Sequence, residues 1–201
     1  MSTLTFLKQF LRTPSQVGSV VPSSPALARF VVDCAELEPD HAVVELGAGT
    51  GPVTEVLRTR VADDQILAFE PQDALAAVLC QRFPGVTLRQ DFAGADLADH
   101  TASWGHPQVH RVVSGLPWTM WPKHVQDPVF EGIVDALAPD GRFLTYTYVH
   151  SQMMPAARMM RTQLDRYFGE VRRSRVLWAN VPPAVVMICD RPRKDVLTPP
   201  A

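Results

Sequence analysis

Apolar positions along this chain follow two rhythms. Short runs rich in β-branched residues fall at 43–46, 65–69, 86–89, 109–113 and 142–149, each bounded by turn residues, and each reads as a strand. Between them, apolar residues return every three to four positions over 25–34, 52–60, 73–83, 123–137 and 153–168, the spacing of one buried helix face. Ser24 suits the cap of the first of these helices, with Pro25 at its first position. Pro139-Asp140-Gly141 marks a turn before the fifth strand. A closing hairpin pairs 170–178 with 184–190 through Asn180-Val181-Pro182-Pro183. Strands that alternate with helices predict an α/β domain whose mostly parallel sheet is covered on both faces.

The first residues differ in character. Over 3–12, Leu4, Leu7 and Leu11 share one face with Phe6 and Phe10 beside them and Lys8 and Arg12 nearby, an amphipathic helix. It suits either a lid over a cleft or a helix lying in a lipid interface. An irregular loop, Val17-Gly18-Ser19-Val20-Val21-Pro22-Ser23-Ser24, follows it. The chain therefore divides into a helical cap and loop over 1–35, a main domain over 36–190, and a polar, proline-rich tail over 191–201 expected to fray.

Composition narrows the partners. A net charge of -2 supplies no basic field for nucleic acid, so that partner is not expected. Cys34, Cys80 and Cys189 are odd in number and widely spaced, which reads as buried thiols in a reducing compartment. No apolar run reaches the roughly 18 residues of a membrane span. A cytoplasmic protein is expected, and residues 3–12 lying in a lipid interface would add peripheral contact with the inner face of the membrane. His106 and His110 are four apart, but Pro107 breaks any shared helix face, so no metal site is expected.

Chemistry concentrates where the first strand ends. Glu45-Leu46-Gly47-Ala48-Gly49-Thr50-Gly51-Pro52 is a strand end, a glycine loop and a helix start. Glycines let the backbone turn and approach a ligand without a Cβ in the way, and the helix start offers free N–H groups. A dinucleotide fingerprint would carry its third glycine where Pro52 stands, which disfavours a nicotinamide oxidoreductase. A second acid, Glu70 before Pro71, closes the next strand, nineteen residues after Gly51, where a carboxylate can accept both ribose hydroxyls. After the third strand come Asp91 and Phe92; Asp91 could equally cap a following helix. After the fourth come Ser114-Gly115-Leu116-Pro117-Trp118, with Trp121 close behind; these aromatics suit either a cation or the core.

The Glu45–Gly51 pattern resembles the first motif of class I S-adenosylmethionine-dependent methyltransferases. Several other segments are similar to the bacterial phospholipid N-methyltransferases, which methylate phosphatidylethanolamine. They are the Phe6…Phe10 helix with the Val17–Ser24 loop, Val113-Ser114-Gly115-Leu116-Pro117, Phe143-Leu144-Thr145-Tyr146-Thr147-Tyr148, and Asn180-Val181-Pro182-Pro183-Ala184. Ala48 stands where that family commonly has proline.

The resemblance implies a Rossmann-like, doubly wound sheet of seven strands in the order 3-2-1-4-5-7-6, the last antiparallel. It implies S-adenosylmethionine as cofactor, held by Glu45, Gly47, Ala48, Gly49, Gly51, Glu70, Pro71, Asp91, Phe92 and Ser114. Asp91 would take the adenine amine. A lipid or small amine would meet Ser23, Leu116, Pro117 and Trp118. Ser114 would orient the acceptor nitrogen, with Tyr146, Tyr148 or His150 taking or relaying its proton. A soluble-amine enzyme, an enzyme like the ribosomal RNA adenine methyltransferases, and a cofactor-binding scaffold are the rival readings.

Overall fold

The computed structural model describes residues 24–197. The expectations for residues 3–12, for the loop up to Ser23 and for the last residues, 198–201, lie outside them.

Strand β1 (Val43–Leu46) is buried at every residue, because it lies mid-sheet with helices on both sides. It pairs in parallel with β2 (Ile66–Phe69) and with β4 (Val109–Ser114). The remaining strands are β3 (Thr87–Arg89), β5 (Leu137–Tyr148), β6 (Phe168–Arg173) and β7 (Ala184–Pro192). The seven strands run in the order β3-β2-β1-β4-β5-β7-β6, as expected, with β7 antiparallel to both of its neighbours.

Strand alternation sorts the side chains into two layers. Val44, Leu46, Val112 and Phe143 face one way, onto α4 (Leu97–Ser103), α5 (Lys123–Ala136) and α6 (Pro155–Tyr167). Val43, Ile66, Val113 and Leu144 face the other way, onto α1 (Pro25–Ala35) and α2 (Pro52–Leu57). Helix α3 (Asp73–Arg82) packs Leu79 against Ala48 and Ala68. Residues 25–35 pack their buried face on the same core layer as β1, β4 and β5. Ser24 caps α1, its Oγ accepting from the Leu27 N–H at 3.1 Å and donating to Asn180 Oδ1 at 2.6 Å. At the other end of α1, Arg111 Nε donates to Ala35 O at 2.6 Å and Arg142 Nη1 to Cys34 O at 2.9 Å, which satisfies carbonyls a helix end leaves bare.

Several boundaries differ from the sequence expectation, each for a packing reason. The Pro139-Asp140-Gly141 turn is a bulge inside β5: Val109 pairs with Leu137 and Arg111 with Arg142, so the residues between loop out. β6 ends at Arg173, because Ser174 turns its N–H and hydroxyl onto the backbone of Val186. β7 reaches Pro192, a short helical turn follows at Lys194–Leu197, and Val196 and Leu197 pack on the core. His41 and His110 stack at 4.6 Å at the amino-terminal edge of the sheet, while His106 lies against Trp104. Of the three cysteines expected to be buried, the structure buries only Cys189 and leaves Cys80 exposed.

Candidate active site

The glycine loop is built by three positive φ angles. Gly47, Gly49 and Gly51 have φ of +74°, +60° and +87°, values that cost any residue with a Cβ. Their reasons differ. A Cβ on Gly51 would fall 2.3 Å from the Phe83 ring, so this glycine lets the loop close onto α3. A Cβ on Gly49 would meet nothing within 4 Å, so its backbone faces open space where a ligand can come close. The Gly47 and Ala48 N–H groups donate to Phe69 O at 2.9 and 3.1 Å, tying the loop to β2.

That space is a cavity of about 270 Å³ at the carboxyl ends of β1, β2 and β4. Glu70 is buried in its wall. Its Oε2 accepts from the Gly49 N–H at 2.8 Å and its Oε1 from the Gln72 N–H at 3.0 Å. Burial pushes this carboxyl up, and the two N–H groups pull the other way. Asp91 is exposed at the rim and accepts from the Phe92 N–H at 2.8 Å. Glu70 and Asp91 are the charged residues of the lining, and the described residues bring no lysine, arginine or histidine to it.

Glu45 corrects the sequence reading. It does not line the cavity but lies beneath the loop, 3% exposed, where its Oε2 accepts from Thr54 Oγ1 at 2.6 Å. Burial, with a smaller contribution from the charge on Glu70, pushes its carboxyl up to about 8 against the pull of the bonds from Thr54. The acid of the motif here pins α2 to β1.

The acceptor end needs the same sorting. Ser114 is fully buried and turned away from the cavity; its Oγ accepts from the Leu116 N–H at 3.2 Å and from Trp118 Nε1 at 3.0 Å. Trp118 is a core residue, 2% exposed and stacked on Phe130 at 4.2 Å, so it does not cover the cleft. Trp121 lines the cavity in its place, beside Gly115, Leu116, Pro117 and Tyr146. Gln126, which the sequence reading passed over, holds this turn: its Nε2 donates to Trp118 O and to Trp121 O, both at 2.8 Å. Its signal was a polar residue inside the apolar stripe of α5, with Val129, Phe130 and Ile133. A Cβ on Gly115 would lie 3.0 Å from Gly47 O and 3.3 Å from Tyr146 Oη, so the two loops and the tyrosine meet at this point.

Of the expected site residues, Gly47, Ala48, Gly49, Glu70, Pro71, Asp91, Phe92, Leu116, Pro117 and Tyr146 come together around the cavity. Glu45, Gly51, Ser114 and Trp118 support it from outside. Tyr148 does not line it and stacks on His150 at 5.9 Å. Thr50, Phe69, Gln72 and Leu75 join the wall without having been expected, as do Leu46, Pro52 and Ala93.

No family model matches the chain. It is 37% identical over 142 residues to the ornithine lipid N-methyltransferase of Singulisphaera acidiphila, covering 69% of this chain and 73% of that protein. It is 33% identical over 140 residues to ribosomal RNA small subunit methyltransferase A of Thermotoga neapolitana, covering 67% of this chain and 48% of that protein. The chain thus spans about half the length of that ribosomal RNA enzyme. The TehB-like S-adenosylmethionine-dependent methyltransferase of Corynebacterium glutamicum superposes with a TM-score of 0.58 at 14% identity, over 93% of this chain and 97% of that one. The N-methyltransferase NodS of Bradyrhizobium japonicum superposes with a TM-score of 0.62 at 13% identity, over 83% and 94%. Identities this low show a common fold, whereas the lipid enzyme is related in sequence over nearly three quarters of its length. The chain belongs to the class I S-adenosylmethionine-dependent methyltransferases.

Proposed function

We propose that this methyltransferase transfers a methyl group to the amine of a membrane lipid headgroup, of the phosphatidylethanolamine or amino-acid-lipid kind. The observation that carries the reading is the sequence relationship to an ornithine lipid N-methyltransferase. The cavity supports it: two carboxylates, an aromatic wall and, among the described residues, no cation suit a sulfonium beside an amine better than a phosphate-rich RNA. The net charge of -2 and the half-length match to the ribosomal RNA enzyme argue the same way.

The residues present fit the cofactor, which when bound supplies a methyl group on a cationic sulfur. Gly49 leaves room for close backbone approach, Glu70 would accept the ribose hydroxyls, and Asp91 with Phe92 would receive the adenine. At the other end, Trp121 would wall the amine, and backbone carbonyls near Gly115 would orient it. The Tyr146 hydroxyl would take or relay the proton that an ammonium must lose before its nitrogen can attack. Much of the acceleration in such a displacement comes from alignment and exclusion of water.

The test is incubation of the full chain with methyl-labelled cofactor and a panel of phosphatidylethanolamine, ornithine lipid, free ethanolamine and ribosomal RNA. Label in a lipid supports the reading. Label only in ethanolamine or in RNA refutes it.

A further inference from the structure

Among the described residues, six large apolar side chains are exposed: Met120 (46%), Met153 (87%), Met154 (54%), Met159 (39%), Trp178 (73%) and Val181 (89%). All six lie on one edge of the sheet. Met120 follows β4, Met153, Met154 and Met159 follow β5, and Trp178 with Val181 precede β7. Tyr148 pairs with Ala184, so the end of β5 and the start of β7 meet at the same carboxyl edge that holds the cavity.

Charge in the three segments that carry these side chains is as one-sided as their apolar exposure, whereas the acids of this edge, Glu70 and Asp91, sit in the cavity lining. The chain has 21 acidic residues, yet none occurs in 115–122, 149–160 or 173–184. Those segments carry Arg158, Arg173 and Arg175. Arg158 and Arg173 also rim a groove of about 680 Å³ whose floor includes Met160, Leu164 and Met187. Flexible methionines and a tryptophan set among arginines, in a chain of net negative charge, match the apolar and anionic layers of a lipid surface.

We propose that these three segments form a docking face for an anionic lipid bilayer, one that turns the mouth of the active site toward the membrane. The inference deepens the lipid-acceptor reading and rests on it for its purpose, but its surface is measured separately. It also differs from contact through residues 3–12, since the face belongs to the folded domain.

The experiment is co-sedimentation of the full chain with phosphatidylcholine vesicles, with and without phosphatidylglycerol. Wild type is compared with Trp178→Ser/Val181→Ser and with Arg158→Gln/Arg175→Gln, each checked by thermal melting. The apolar pair is expected to lower partitioning at least tenfold on anionic vesicles with the melting temperature kept. The arginine pair is expected to lower it about fivefold per residue, and only where phosphatidylglycerol is present. Unchanged partitioning of both variants overturns the proposal. So does a lowered melting temperature in the apolar pair with partitioning intact, because the face would then be covered by residues 1–23 or another segment of this chain. Turnover of an amino lipid dispersed in detergent separates the two readings. If the variants lose vesicle binding while no lipid is methylated by wild type, the docking face stands and the acceptor reading falls. If lipid is methylated and partitioning ignores the variants, the reverse holds.

Discussion

Glu45 offers the sharpest physical test of the loop. It is buried with its carboxyl held near 8, against 4.5 for the free side chain, so the folded protein keeps a proton here that the unfolded chain releases from about pH 4.5 upward. Stability must therefore fall as pH rises between those two values and level off above the higher one. Each unit of separation is worth about 1.4 kcal/mol, so the full window amounts to on the order of 5 kcal/mol, and the stretch from pH 5 to pH 7.5 to about 3 kcal/mol. Glu45→Gln keeps the acceptor for Thr54 and removes the titration. Urea unfolding of both proteins across this range gives a difference from which other titrating groups cancel. Relative to the variant, wild type is expected to lose about 3 kcal/mol on going from pH 5 to pH 7.5, or on the order of ten degrees in melting temperature. A difference that stays flat with pH would falsify the assignment of a buried, neutral Glu45. The sign matters as much as the size, since an ion-paired carboxylate would give a slope of the opposite hand.

The other predictions concern the cavity and its supports. Glu70→Ala should weaken cofactor binding by at least tenfold in calorimetry, because it removes a buried acceptor and frees the Gly49 N–H; unchanged affinity would show that Glu70 shapes the loop without touching the ribose. Trp121→Ala should lower turnover while cofactor affinity holds, whereas Trp118→Ala, emptying a core site against Phe130, should cost about 3–5 kcal/mol of stability. The opposite pattern would reverse the roles given to these two rings. Gln126→Met should raise the acceptor KM with little change in cofactor affinity, since it releases two carbonyls of the Trp118–Trp121 turn. A variant with wild-type KM would mean that the turn holds without it.

What the sequence could show was decided by range. Gly47, Gly49 and Glu70 were legible because φ requirements and strand ends leave local marks, and the order of the sheet came with the family those marks resemble. The distinction between Trp118 and Trp121 was not legible, since it depends on a turn held by Ser114 from β4 and Gln126 from α5. Ser114 did carry a usable hint, for it shares strand parity with buried Val112 and so points into the core. Glu45 was misplaced because a motif acid and a buried acid look alike until Thr54 is seen beneath the loop. The end of β7 was not legible either, since Arg191 and Pro192 sit in a polar stretch, yet pairing with β6 carries the strand as far as Pro192.

The place of β7 between β5 and β6 also shapes how the chain can be made. It is the last strand in the sequence, yet it fills an interior slot and buries Ala184 through Cys189. Until it has been synthesised and has emerged, β5 presents an unpaired edge next to Tyr146, and β6 lacks the strand it pairs with. The nascent protein can pair β1, β2, β3, β4 and β5 as they emerge, but the half of the sheet beside the Ser114–Trp121 loop closes only once β7 has followed. Interruption of translation before residue 184 would leave a product with an open strand at its active edge, a template for aggregation rather than a smaller enzyme.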